Sequence, residues 1–180
     1  MAVRQSRNVV GPSATFNLDT QAGNTLVVIL SANPTGIGSV TLTDSKGNST
    51  TGTRKVNYTG GGGISSLTIW VLENIANAGA THTMSVSGVD QPDFCTLTIA
   101  ELSLAPGSSY DSAVTATVRD TDGTPYTLTT GTPSQDSELL FAIITSEGST
   151  ALDYSASGWT RIHQIADFTT YWGQAIFTKT

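Results

Sequence analysis

An all-β chain is predicted: an antiparallel β-sandwich or jelly-roll of about ten short strands behind a short N-terminal arm. Three observations predict it. Apolar and polar residues alternate with a period of two, turn residues interrupt them at short intervals, and Thr and Ser are used heavily. The 180 residues include 30 Thr and 20 Ser, while only 12% are charged, about half the usual share. Thr suits a pleated, half-buried surface, where its branched carbon packs and its hydroxyl stays hydrated. A chain of this length buries roughly 70% of its unfolded surface, enough for a core without cross-links.

Taken in order, the elements follow from that pattern. Residues 1–14 carry Arg4, Arg7, Val9, Val10 and Pro12, with no acid before Asp19, and read as an arm ahead of a sandwich over 15–180. Thr15 to Leu18 alternates and ends in a Gln21–Asn24 turn. Thr25 to Ser31 is almost continuously apolar, as a central strand covered on both faces would be. Ser39 to Thr43 alternates, and Asp44 to Asn48 supplies hairpin chemistry, with Gly47 and Asn48 suited to positive φ. Thr53 to Thr59 is a strand before the Gly60–Gly63 tip. Ile64 to Glu73, Thr81 to Ser87 and Cys95 to Ala105 alternate in turn. Ala113 to Arg119, Glu138 to Thr145, Trp159 to Ile165 and Tyr171 to Thr178 complete the set.

The chain contains a faint internal echo. Phe16-x-Leu18 followed by Gly23 to Ile29 is matched by Tyr126-x-Leu128 followed by Asp136 to Ala142. Leu67 to Val71 is matched by Tyr171 to Phe177. A double Greek key would produce such an echo, as would any two pairs of alternating strands.

Charge and cysteine content narrow the function classes. Net charge is −6, and residues 90–153 hold ten acids against one base, Arg119. A surface of that sign repels phosphate backbones, so nucleic acid is not an expected partner. The single Cys95 lies in an alternating run and reads as a small core residue. Met1 to Ala14 has no apolar stretch of the signal-peptide kind, and no apolar run approaches membrane-spanning length. Cytoplasmic synthesis without a membrane partner is the expectation.

Candidate chemistry is sparse. A Ser-His-Asp hydrolase needs a His beside a nucleophile and an acid. His82 and His163 lie outside any Gly-x-Ser-x-Gly turn and read as surface or strand-edge residues. One Cys and two distant His do not make a zinc site. Asp120 and Asp122, with Gly123, could offer oxygen ligands to calcium, although Asp-Gly is also the common hairpin dipeptide and that reading is preferred. No other cofactor is expected. Among the aromatics, Trp70 and Trp172 sit in alternating strands and read as core. Trp159 follows a Ser-Ala-Ser-Gly loop and, with Tyr154, could stack against a glycan. Tyr58 and Tyr110 are also available.

Several segments resemble modules of tailed-phage and prophage β-sandwich proteins. These are Gly23 to Val28, the Val40 to Asn48 strand and hairpin, Leu67 to Trp70, Ala100 to Ala105, and Gly158-Trp159-Thr160. The resemblance spans most of residues 15–178. It implies a non-enzymatic virion part, and within that class a capsid decoration (cement) protein on the outside of a phage head. It further implies a homotrimer bound to the major capsid protein, with the arm laid across a neighbour. A carbohydrate-binding or host-adhesion module, or a tail or baseplate component, is the alternative.

Overall fold

A computed structural model describes residues 2–32, 40–58, 66–105, 107–111, 139–147, 157–167 and 172–179. Over these the chain is all-β, as the sequence predicts, and every strand pairing is antiparallel. The strands are β1 (Ala2–Val10), β2 (Ser13–Thr15), β3 (Thr25–Ala32), β4 (Thr41–Asp44), β5 (Arg54–Tyr58), β6 (Ser66–Leu72), β7 (Thr83–Ser87), β8 (Thr96–Ser103), β9 (Leu140–Glu147), β10 (Thr160–Asp167) and β11 (Trp172–Lys179). One 3-10 turn, Pro92–Phe94, precedes β8. The predicted Ala113 to Arg119 strand and the Gly60–Gly63 tip lie outside the described residues.

The strands form three sheets. A five-stranded sheet has the order β1-β8-β3-β6-β5, and two three-stranded sheets have the orders β2-β7-β4 and β10-β11-β9. The five-stranded sheet is the middle layer, because alternate residues of β3 enter two different cores. Leu26, Val28 and Leu30 join Leu42, Trp70, Met84, Leu97 and Ile99 on the side of β2-β7-β4. Val27 and Ile29 join Ala100, Leu102 and Ile176, with Phe141 and Ile143 packed against them, on the side of β10-β11-β9. All eight residues of β3 are therefore buried. The apolar Thr25 to Ser31 run has the cause anticipated for it: both faces of this strand are covered.

Residues 2–14 do not form a separate arm. Ala2 to Val10 forms the edge strand β1, in register with β8 from Ala2 opposite Ser103 to Val10 opposite Thr96, with one irregularity between Val3 and Gln5. The chain leaves this sheet at Gly11-Pro12 and enters the facing one. Gly11 takes φ +118, its N–H donates to Cys95 O at 2.8 Å, and Pro12 O accepts from Val86 N at 2.8 Å. A residue in the left-handed half of φ space is most cheaply a glycine.

The Asp44 to Asn48 segment also differs from expectation. The tight turn is present, with Gly47 at φ +77 and its N–H donating to Asp44 O at 3.1 Å. It does not close a hairpin, however: β4 pairs with β7, whereas β5 pairs with β6. The turn carries the chain from an outer layer into the middle one. The internal echo has a counterpart, since each apolar strand pairs with its aromatic strand: β3 with β6, and β9 with β11.

Candidate functional site

Three buried polar clusters stand out among the described residues. The first joins Asp44, His82 and Thr20. His82 is wholly buried, which corrects its reading as a surface residue. Its Nε2 lies 2.7 Å from Asp44 Oδ1 and its Nδ1 lies 2.7 Å from Thr20 Oγ1. Gly79 N–H donates to Thr20 Oγ1 at 3.1 Å. Nε2–H donates to the carboxylate, and the Thr20 hydroxyl lies between Nδ1 and Gly79 O, 3.4 Å away, to which it can also donate. Asp44 also accepts from Lys46 N at 2.6 Å and from Asn48 Nδ2 at 2.7 Å, and Phe16 packs edge-on against the imidazole at 5.8 Å.

This is the acid, base and hydroxyl order of a hydrolytic triad, but it is enclosed. Thr20 is 4% exposed, Asp44 7% and His82 0%. A nucleophile needs an approach for the substrate carbonyl, and this hydroxyl faces the protein interior. What the cluster does is join three segments, the β4 turn, the start of β7 and the loop before β3, at one buried point.

The second cluster centres on Glu101, the one charged residue of β8 and also 0% exposed. It accepts from Arg4 Nη1 at 2.5 Å, Gln5 Nε2 at 2.6 Å, Asn24 Nδ2 at 2.7 Å and Gln21 N at 2.8 Å. Burial alone would raise its pKa. The donors from Gln5, Asn24, Gln21 and Arg4 outweigh that and hold it below the ordinary 4.5. A single carboxylate thus fixes β1 and the 21–24 turn to β8.

The residues expected to form a partner-binding arm are distributed accordingly. Arg4 also donates to Asp19 O at 2.7 Å, and Arg7 donates to Thr15 O at 2.9 Å. Val9 packs on the first core, Val10 is 40% exposed, and Pro12 occupies the crossing between sheets. Arg4 and Val9 face inward to their own chain, leaving Arg7 and Val10 on the surface.

The third cluster lies between the middle sheet and β10-β11-β9. Buried Gln174 on β11 bonds to Thr98 Oγ1 and donates to Ser31 Oγ at 2.7 Å. His163, on β10, is half-buried rather than superficial. Desolvation lowers its pKa below 6.5, opposed by a hydrogen bond to the Ser6 backbone, and its Nε2 is buried without a hydrogen-bond partner.

Of the remaining candidates, Trp159 is half-buried immediately before β10. Tyr154, Asp120 and Asp122 lie outside the described residues. Among the described residues, no group of three His, Cys, Asp or Glu is placed to hold a metal ion, and no helix is long and apolar enough to cross a membrane. Trp70 is in the core at 2% exposed. Cys95 is buried there as well, and that burial pushes its thiol up to about 11 against a lowering hydrogen bond from Gly11, with Asp93 adding to the rise.

Sequence reasoning missed the Thr20–His82–Asp44 cluster, because its members are separated by 62 and 38 residues and no local motif joins them. Glu101 had a usable signal. A carboxylate within Thr-Leu-Thr-Ile-Ala-Glu-Leu must find donors or disrupt the strand. The chain matches no protein-family model, no curated protein and no solved structure.

Proposed function

We propose that this chain is a non-enzymatic structural protein of a tailed-phage virion, a capsid decoration protein that binds the outside of the head. The observation that supports this reading best is the use made of reactive side chains. The one acid–base–hydroxyl constellation among the described residues is sealed and serves to join segments of the fold. The segment resemblances to phage sandwich modules point the same way. In this reading the outer surfaces act on other proteins, while the buried polar clusters hold the surfaces in place.

The test uses heads assembled without this protein. Purified chain is mixed with them, the heads are pelleted, and their resistance to heat is measured. Co-sedimentation at a fixed stoichiometry with a raised disruption temperature is expected, and the surface changes Arg7→Ala and Val10→Ser should weaken attachment. Removing residues 1–12 is unsuitable as a test, because it deletes β1. Failure to bind heads at any stage of maturation contradicts the reading.

A further inference from the structure

The two outer sheets are not held to the middle sheet equally. On the side of β2-β7-β4, sixteen buried apolar residues share one core among the described residues. The Thr20–His82–Asp44 cluster enclosed beside it is hydrogen-bonded throughout. The chain itself stitches these two layers together at Gly11-Pro12, where Pro12 O accepts from Val86 N at 2.8 Å.

The seam facing β10-β11-β9 is built differently. Its core has five buried apolar residues, and eight more that are only partly buried. The strands β9, β10 and β11 pair with one another and with no other described strand, so no main-chain ladder joins them to the middle sheet. One end of the seam is polar. Thr98 bonds to Gln174 of β11 and therefore faces this sheet. Asn8 lies opposite Thr98, and Thr96 lies two residues along β8, positions that share that face. From the other side comes His163, which lies opposite the core residue Ile176.

These residues carry bonds that are not made. Asn8 Nδ2 and Oδ1, Thr96 Oγ1 and His163 Nε2 are four of the five buried side-chain atoms without a hydrogen-bond partner among the described residues. A buried donor or acceptor with no partner raises the free energy of the closed arrangement, and water supplies the partner once the layers separate. Separation breaks the bonds of Gln174 to Thr98 and Ser31 and of His163 to the Ser6 backbone. Water replaces those too, which leaves the small apolar core as the main force for closure.

We infer that β10-β11-β9 is a separable layer, which parts from the middle sheet while the middle sheet and β2-β7-β4 stay folded together. Parting uncovers the face of the middle sheet that carries Val27, Ile29 and Leu102. A freed sheet with its apolar face in water has few contacts to protect its own amides. The inference rests on packing alone and holds whether or not the protein attaches to heads.

The test is native-state amide exchange of the full chain in increasing urea. The amides of the central strand β11 should exchange through an opening about 100-fold more populated than the one that exposes β3. Its urea dependence should be weaker, because less surface is exposed. Two variants separate this opening from global unfolding. Val86→Ala, in the first core, should raise exchange of β3 roughly 30-fold and leave β11 unchanged, because that core stays intact in the parted state. Asn8→Leu removes both unpartnered amide atoms at nearly constant size and should slow β11 about tenfold. The inference is overturned if β11 and β3 share one opening and one urea dependence, if β11 follows β3 in Val86→Ala, or if Asn8→Leu leaves β11 as fast as before.

Discussion

Arg4 Nη1 on the first strand lies 2.5 Å from Glu101 Oε2 on the eighth, and this pair converts an N-terminal segment that reads as an arm into the edge of the middle sheet. Glu101 is fully buried and Arg4 is a quarter exposed. The interaction is therefore a charge-assisted hydrogen bond at the boundary of the core rather than a solvated surface pair, which would contribute little.

Replacing Glu101 with Gln keeps the shape and removes the charge that four donors address. Unfolding in urea should show a loss of about 2–4 kcal/mol. Arg4→Ala leaves three of the donors in place and should cost about 1 kcal/mol. Equal losses for the two variants would contradict the central role of the carboxylate.

Acidification should destabilise the protein in two stages. His163 has a folded pKa below its ordinary 6.5, so the unfolded chain binds the extra proton first, and stability declines as pH falls below 6.5. Glu101 has a folded pKa below 4.5. Its contribution is complete above that value and is lost as pH falls through the lowered pKa. His163→Gln should remove the first stage only, and Glu101→Gln should flatten the second. Stability measured from pH 7.5 to 3 in both variants checks the assignment.

The buried imidazole is expected to be structural. His82→Ala removes two hydrogen bonds and a fully buried ring, leaving Asp44 and Thr20 without their shared partner. The cost should be about 3 kcal/mol or more, read by thermal or chemical unfolding. Thr20→Val keeps the volume, loses the hydroxyl, and should cost about 1–2 kcal/mol. Crystal structures of the two variants should show the β4 turn displaced in the first and retained in the second.

Two threonines on one strand should respond in opposite directions. Thr98 Oγ1 bonds to Gln174, whereas Thr96 Oγ1 is buried without a hydrogen-bond partner. Thr96→Val removes an unsatisfied hydroxyl at constant shape and should be neutral or stabilising by up to about 1 kcal/mol. Thr98→Val should destabilise by about 1–2 kcal/mol. Paired urea titrations decide the point.

The strands were legible where burial sets composition. β3 is apolar enough to reveal cover on both faces, and β4 and β7 alternate as half-buried strands do. β8 reads as alternating but is buried on both faces, because its threonines turn inward as well. β1 was not legible, because Arg4, Gln5, Arg7 and Asn8 look like solvated residues in sequence. In the fold, Arg4, Gln5 and Arg7 hydrogen-bond to the backbone of residues 15–19 and to Glu101. The contact between the loops after β4 and β6 shows the same limit: its residues are ordinary turn formers, and only the reciprocal Asn48–Asn77 bonds, which bridge 29 residues, join the two loops. His82 was misjudged for a similar reason: its flanking threonines suggest a wet strand end, while its partners come from distant turns.

Hydrogen exchange at the amides of residues 2–10 reports most directly on whether the molecule presents a closed, three-layered body with a fixed edge. The amides that point toward β8 should exchange as slowly as those of β8 itself, and Glu101→Gln should accelerate them selectively. Exchange of all nine at the rate of an unstructured peptide would contradict the account, because the segment would then be a free arm and Glu101 would have lost its principal partners.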